Sequence, residues 1–116
     1  LNGLRMEFII SEYKHCALIE IKGRIDSYSA PKIYQGLRAL MEDGQYNLVI
    51  DMKDVNFISS AGILMFVNAQ KQCKHQNRGE IVFCGIPDLI LSGFKMAGFD
   101  KYFDFYTDAV SAVGRF

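Results

Sequence analysis

The sequence predicts a single α/β domain: a four- to five-stranded mixed sheet, antiparallel at an opening hairpin and otherwise largely parallel, with about four helices. Three observations lead there. Short branched-apolar stretches alternate with segments of helical periodicity, which is the pattern of β-α-β crossovers. The stretch 46–52 (YNLVIDM) is almost continuously apolar, as strands covered on both faces are. Finally, the 116 residues are 50% hydrophobic and 22% charged, enough for one domain that buries roughly two thirds of its unfolded surface.

Taken in order, residues 1–5 (LNGLR) precede the patterned part and are read as an N-terminal tail, leaving 6–116 as the domain. Residues 6–13 and 16–22 flank a polar turn at Lys14-His15 and form the hairpin, which Gly23 ends. In GRIDSYSAP, Ser27 and Ser29 are N-cap candidates, and Pro31 stands in the first helical turn, where its missing N–H costs little. Ile33, Leu37, Leu40 and Met41 then recur on one face of a helix that stops at Gly44. A strand follows over 46–52, and Ile63, Phe66, Val67, Gln70 and Cys73 give the inward face of a second helix, ended at Asn77-Arg78-Gly79. Residues 81–84 read as a strand, 87–97 as a helix closed by Gly98, and 102–106 as a last short strand. Thr107-Asp108 caps a final helix over 109–113.

Several functions are disfavoured by composition. Thirteen basic and thirteen acidic residues give a formal net charge of zero, so there is no broad basic field to hold nucleic acid. Cys16, Cys73 and Cys84 are an odd number without a C-x-x-C pair; they read as free, partly buried thiols of a reducing cytosol. His15 and His75 have no ligand-spaced partner, so neither a metal nor a cofactor is expected. No run approaches 18 apolar residues and no signal-peptide pattern is present, which predicts a soluble, cytoplasmic protein with no membrane span. Phosphate-cradling glycine loops and the G-x-S-x-G turn are missing, and no catalytic residue is expected. The aromatic C-terminal region, with Phe94, Met96, Phe99, Tyr102, Phe103 and Phe105, reads as core. Arg24 and Asp26 read as a surface pair or a partner contact.

One stretch stands apart. Between two apolar runs lies ISSAG, residues 58–62, at a strand-to-helix turn of the kind where ligands and partners meet such sheets. A serine here can cap the helix, and Ser59 is the better placed. One serine suffices for that, which leaves the Ser60 hydroxyl at a helix N-terminus that favours negative charge. Ala61 and Gly62 have little side chain, serving either close approach of a partner or close packing on the sheet.

The order of elements, GRID after the second strand, and DMKDVNFISSAGI before the second long helix together resemble the STAS domain of sulphate transporters and anti-sigma factor antagonists. The stretch IVFCGIPDLILSGFKMAGFDKYFDFYTDAVSAV extends the resemblance to about residues 6–114. It implies a small switch protein that binds an anti-sigma factor which is also a serine kinase. Phosphorylation of one serine breaks the complex, and a serine phosphatase restores it. The family pattern is typically Asp-Ser-Ser/Thr-Gly-Leu-Gly. Ser60 falls on the phosphorylated position, Ser59 on the Asp, Ala61 on the second hydroxyl residue, Gly62 on the first Gly and Ile63 on the Leu, while Leu64 replaces the second Gly. Asp26 falls on an acidic position near the same surface. The resemblance thus makes Asp26, Ser59, Ser60, Ala61, Gly62 and Ile63 the partner-binding set. Two other readings stand beside it: a non-phosphorylated STAS scaffold within a larger signalling or lipid-transport assembly, and a site for a small anion or nucleotide at the helix N-terminus.

Overall fold

The computed structural model describes residues 5–116, so residues 1–4 of the expected tail lie outside the described residues. Among the described residues, five strands form one sheet in the order β1-β2-β3-β4-β5: β1 Glu7–Glu12, β2 Ala17–Ile25, β3 Leu48–Ile58, β4 Ile81–Cys84 and β5 Asp104–Tyr106. The β1–β2 hairpin is antiparallel and every other pairing is parallel, as expected. The helices are α1 Ala30–Glu42, α2 Ser60–Lys74, α3 Asp88–Ala97 and α4 Ala109–Gly114.

Alternation along the strands assigns the two faces. Ile19, Ile21, Leu48, Ile50, Ile81 and Phe83 point to the side covered by α1, α2 and α3 and share its core. Leu18, Val49, Val82 and Cys84 point the other way, where α4 supplies Ala112. Helix α1 buries Ile33, Leu37, Leu40 and Met41, the four positions its periodicity marks. Phe83 sits in the middle of an aromatic group, with ring centroids 5.1 Å from Phe66, 5.2 Å from Phe94, 4.8 Å from Phe103 and 5.5 Å from Phe105. The C-terminal aromatics are therefore core, except that the side chain of Met96 lies almost wholly in solvent. Cys16, Cys73 and Cys84 are free and buried.

Two strand boundaries differ from expectation for the same reason. Gly23 does not end β2, which runs on to Ile25; and β3 continues six residues past Met52 to Ile58. The β2–β3 register slips twice, between Glu20 and Lys22 and between Gly23 and Arg24, with the extra residues in β3. Each bulge breaks the period-two alternation that marks a strand in sequence. Gly23 adopts φ +98°, and a Cβ there would lie 1.9 Å from the Arg5 carbonyl oxygen, so the chain passes through a conformation and a space that only glycine permits.

Polar groups hold the far end of the sheet. Gln70 of α2 is wholly buried. Its Oε1 accepts the Ile81 N–H at 2.6 Å, and its Nε2 donates to the carbonyls of Ile81 at 3.1 Å and Tyr102 at 3.2 Å. One side chain thus pairs the first backbone groups of β4 and ties in the turn before β5. Gln70→Leu keeps the volume but strands those groups, and should lower unfolding free energy by about 1–3 kcal/mol in urea titrations.

Candidate functional site

The site is built where β3 hands over to α2. Ser59 is extended (φ −89°, ψ 169°) and its Oγ accepts the Gly62 N–H at 3.2 Å, so it is the N-cap the sequence suggests. Its own N–H donates to the Ile25 carbonyl at 2.8 Å, and its carbonyl accepts from Ile63 N–H at 3.0 Å to close the first helical turn. Ser60 is the first helical residue and is exposed. The amides of Ser60 and Ala61 have no acceptor within the helix, and the aligned peptide dipoles add partial positive charge at that end.

Four of the six expected partner-binding residues, those that follow the cap, divide into two groups. Ser60 and Ala61 face solvent, joined by Leu64, which is 50% exposed. Gly62 and Ile63 face inward and are buried. A Cβ on Gly62 would lie 2.8 Å from Ile25 Cγ2 and 2.9 Å from Ile58 Cγ1, so the missing side chain lets the helix lie on the sheet and gives a partner no added access. Beside the exposed turn, Ala30, Pro31 and Tyr34 of α1 and Ala61, Leu64 and Met65 of α2 line an apolar groove of about 480 Å³.

Asp26 belongs to the same place. The Ser59–Ile25 hydrogen bond puts Ser60 and Asp26 each one residue beyond a shared contact. The expected caps, Ser27 and Ser29, do not cap α1 through their side chains. Ser29 is nominally the N-cap residue but makes no cap bond; its Oγ accepts the Asp26 N–H at 2.9 Å and donates to the Arg24 carbonyl at 2.7 Å. Asp26 instead organises the turn before the helix: its Oδ1 takes the N–H groups of Tyr28 and Ser29, each at 3.0 Å. The Ser29 amide above all, then the Tyr28 amide, the Ser29 hydroxyl and the Arg24 charge, hold the Asp26 carboxyl below its ordinary range. It is therefore a carboxylate at neutral pH. Arg24 lies 3.6 Å from that carboxylate and stacks 3.9 Å above the Phe57 ring. This stack and the exposed ring of Tyr28 are parts of the site that the sequence does not single out. Arg24 and Phe57 become neighbours only through the second bulge of β3.

The cysteines take no part in this surface. Burial raises the Cys16 thiol and pushes those of Cys73 and Cys84 up to about 12, which leaves them protonated and poorly nucleophilic. Among the described residues, no group of His, Cys, Asp and Glu side chains is placed to hold a metal ion, and no helix is long and apolar enough to cross a membrane.

The STAS domain family model matches residues 7–112. The anti-sigma-B factor antagonist of Listeria monocytogenes is 32% identical over 80 residues, spanning 69% of each chain. In structure, an anti-sigma factor antagonist from Mycobacterium paratuberculosis superposes with a TM-score of 0.84 at 20% identity, over 96% of this chain and 93% of the other. The Bacillus cell fate determinant SpoIIAA in its phosphorylated form gives a TM-score of 0.76 at 13% identity, over 94% and 98%; likeness at that identity concerns the fold.

Three substitutions separate the roles at the junction. Ser59→Ala removes the cap and should cost about 0.5–2 kcal/mol. Gly62→Ala drives a methyl into Ile25 and Ile58 and should cost about 1–3 kcal/mol. Ala61→Ser, on the exposed side, should stay within about 0.5 kcal/mol; thermal and urea unfolding of the three variants measures this order. The lowered Asp26 pKa carries a sign as well. Stability from Asp26 is fully present above the unfolded carboxylate range and is lost as pH falls through the lowered folded value. Asp26→Asn should therefore flatten the acid limb of a plot of stability against pH.

Proposed function

Since the chain belongs to the STAS domain family, we propose that it is an anti-sigma factor antagonist switched by phosphorylation of Ser60. In this reading it works in the cytoplasm by binding, not by turning over a substrate. Its unmodified form engages an anti-sigma factor that is also a serine kinase and so frees a sigma factor. The kinase transfers phosphate to Ser60 and the complex separates; a serine phosphatase returns the protein to its binding form.

The observation that carries this reading is the position of Ser60. Its hydroxyl is exposed at the first residue of α2, beside the small Ala61, while Ser59 alone serves as the cap. Cap and acceptor are thus different residues, so modification of Ser60 leaves the cap bond in place. Ser59, Ser60, Ala61, Leu64 and Asp26 form the contact surface, and Gly62 and Ile63 support it from below. A phosphate adds nearly two negative charges next to the ionised Asp26. In a closed interface those charges lose water and repel whatever acidic or apolar group lies opposite. A penalty of about 3 kcal/mol weakens binding roughly a hundredfold.

Ser59, neutral where the family pattern has an aspartate, favours one other reading: a STAS module held constitutively in a larger assembly. The two readings separate in one experiment. The protein is incubated with its cognate kinase and ATP, phosphate is mapped by mass spectrometry, and kinase binding is measured for wild type, Ser60→Ala and Ser60→Asp. The switch predicts phosphate on Ser60, tight but unmodifiable binding by Ser60→Ala, and about hundredfold weaker binding by Ser60→Asp. Phosphate absent from Ser60, with binding by Ser60→Asp unchanged and indifferent to ATP, would leave the constitutive module.

A further inference from the structure

The sheet is open, with β1 and β5 at its two edges. Among the described residues, β1 pairs with β2 alone. At the hairpin the Tyr13 N–H donates to the Cys16 carbonyl at 2.8 Å. Alternation of the antiparallel ladder from that pair turns the backbone groups of Ser11, Ile9 and Glu7 toward β2, and those of Glu12, Ile10 and Phe8 toward the open edge. The edge is also apolar. Ile9 is 59% exposed and Ile10 36%, and Tyr13 at the turn is exposed too. EFIISE holds neither lysine nor proline, and its charges, Glu7 and Glu12, stand at the two ends of the strand, leaving the middle of the edge unprotected.

We propose that β1 is a homodimerisation edge, where a second copy of this chain adds its own β1 antiparallel across a two-fold axis at Ile9. A two-fold axis perpendicular to the sheet keeps each residue on its own face, so only registers that pair residues of equal parity are possible. Centring on Ile9 places Ile9 against Ile9 and Phe8 against Ile10 on both sides of the axis. Phe8 and Ile10 are the residues whose backbone groups point outward, so they make the hydrogen-bonded pairs. Ile9 falls in the closely spaced non-bonded pair, where side chains touch best. Moving the axis to Ile10 sets Phe8 against Glu12, and moving it to Phe8 sets Ile9 against Glu7. Centring on Ile9 alone buries the most exposed apolar residue of the strand against its like.

Electrostatics agrees. The Ile9 register keeps Glu7 opposite Ser11 and away from both glutamates of the second copy. Glu7 already faces Lys22 across the hairpin. A formal net charge of zero leaves no long-range repulsion between copies. The edge lies across the sheet from α4, which packs on β3, β4 and β5, and the dimer is independent of any modification at Ser60.

Sedimentation velocity from micromolar to millimolar protein should show a shift from 13.2 kDa toward twice that mass, and Ile9→Lys should remain monomeric with an unchanged circular dichroism melt. The register has its own readout, because the native cysteines are buried. Under mild oxidation Ile9→Cys should form a disulfide-linked dimer, whereas Ser11→Cys, which faces Glu7 of the second copy, should not. A wild-type monomer at every concentration would overturn the dimer, and equal cross-linking of Ser11→Cys and Ile9→Cys would overturn the register.

Discussion

The whole site hangs on how closely α2 approaches the sheet. At Gly62 the helix backbone comes so near that a single added carbon would meet both Ile25 and Ile58. These two residues are register partners at the ends of β2 and β3, so one close contact locks the helix to both strands. Once Gly62 is fixed there, Ser59 must sit three residues earlier, in reach of its N–H. Ser60 and Ala61 are then forced outward, because the inward side of the turn is already filled. The exposed hydroxyl follows from packing underneath it.

Behind that contact is a platform with little freedom. Phe83 touches four other rings, and edge-to-face aromatic pairs add specific geometry to the area they bury. At the opposite end of α2, Gln70 substitutes for a strand neighbour and satisfies the start of β4. Helix α2 is thus held at both ends, by close packing at Gly62 and by hydrogen bonds at Gln70. A surface presented by such a helix is set before any partner arrives, so little ordering entropy opposes binding.

The sequence is most informative where one periodicity runs unbroken. The buried faces of α1 and α2, the four residues of β4, the Gly98 stop and the Asp108 cap all follow from spacing and capping chemistry, and each is found. Legibility fails where two chains of contact must be aligned. The bulges of β3 exist only relative to β2, so neither the extension to Ile58 nor the stack of Arg24 on Phe57 can be read from either strand alone. At the entry to α1 neither expected serine caps the helix, because the tight turn ties the Ser29 hydroxyl to Asp26 and Arg24 and spends the Asp26 carboxylate on the turn's own amides. Met96 stands two residues after Phe94 and six after Ile90, the two buried residues of α3, so the helical period turns it away from the core and into water.

In the proposed switch, a phosphate at the α2 N-terminus would act with opposite sign in the free and bound states. In the free protein a phosphate on Ser60 meets unpaired amides and the positive end of a 15-residue helix, a placement worth about 0.3–1 kcal/mol in its favour. The fold gains slightly and nothing in the core has to move. In the proposed complex the same phosphate would lose its water, and Asp26, one residue beyond the Ser59–Ile25 contact, would stay ionised because its own amide donors stabilise the charged form. Neither a neighbouring protonation nor a rotation of the rigid helix can relieve that cost. In that reading the free-energy difference falls on binding, because Gly62 and Ser59 fix the turn that would carry the charge.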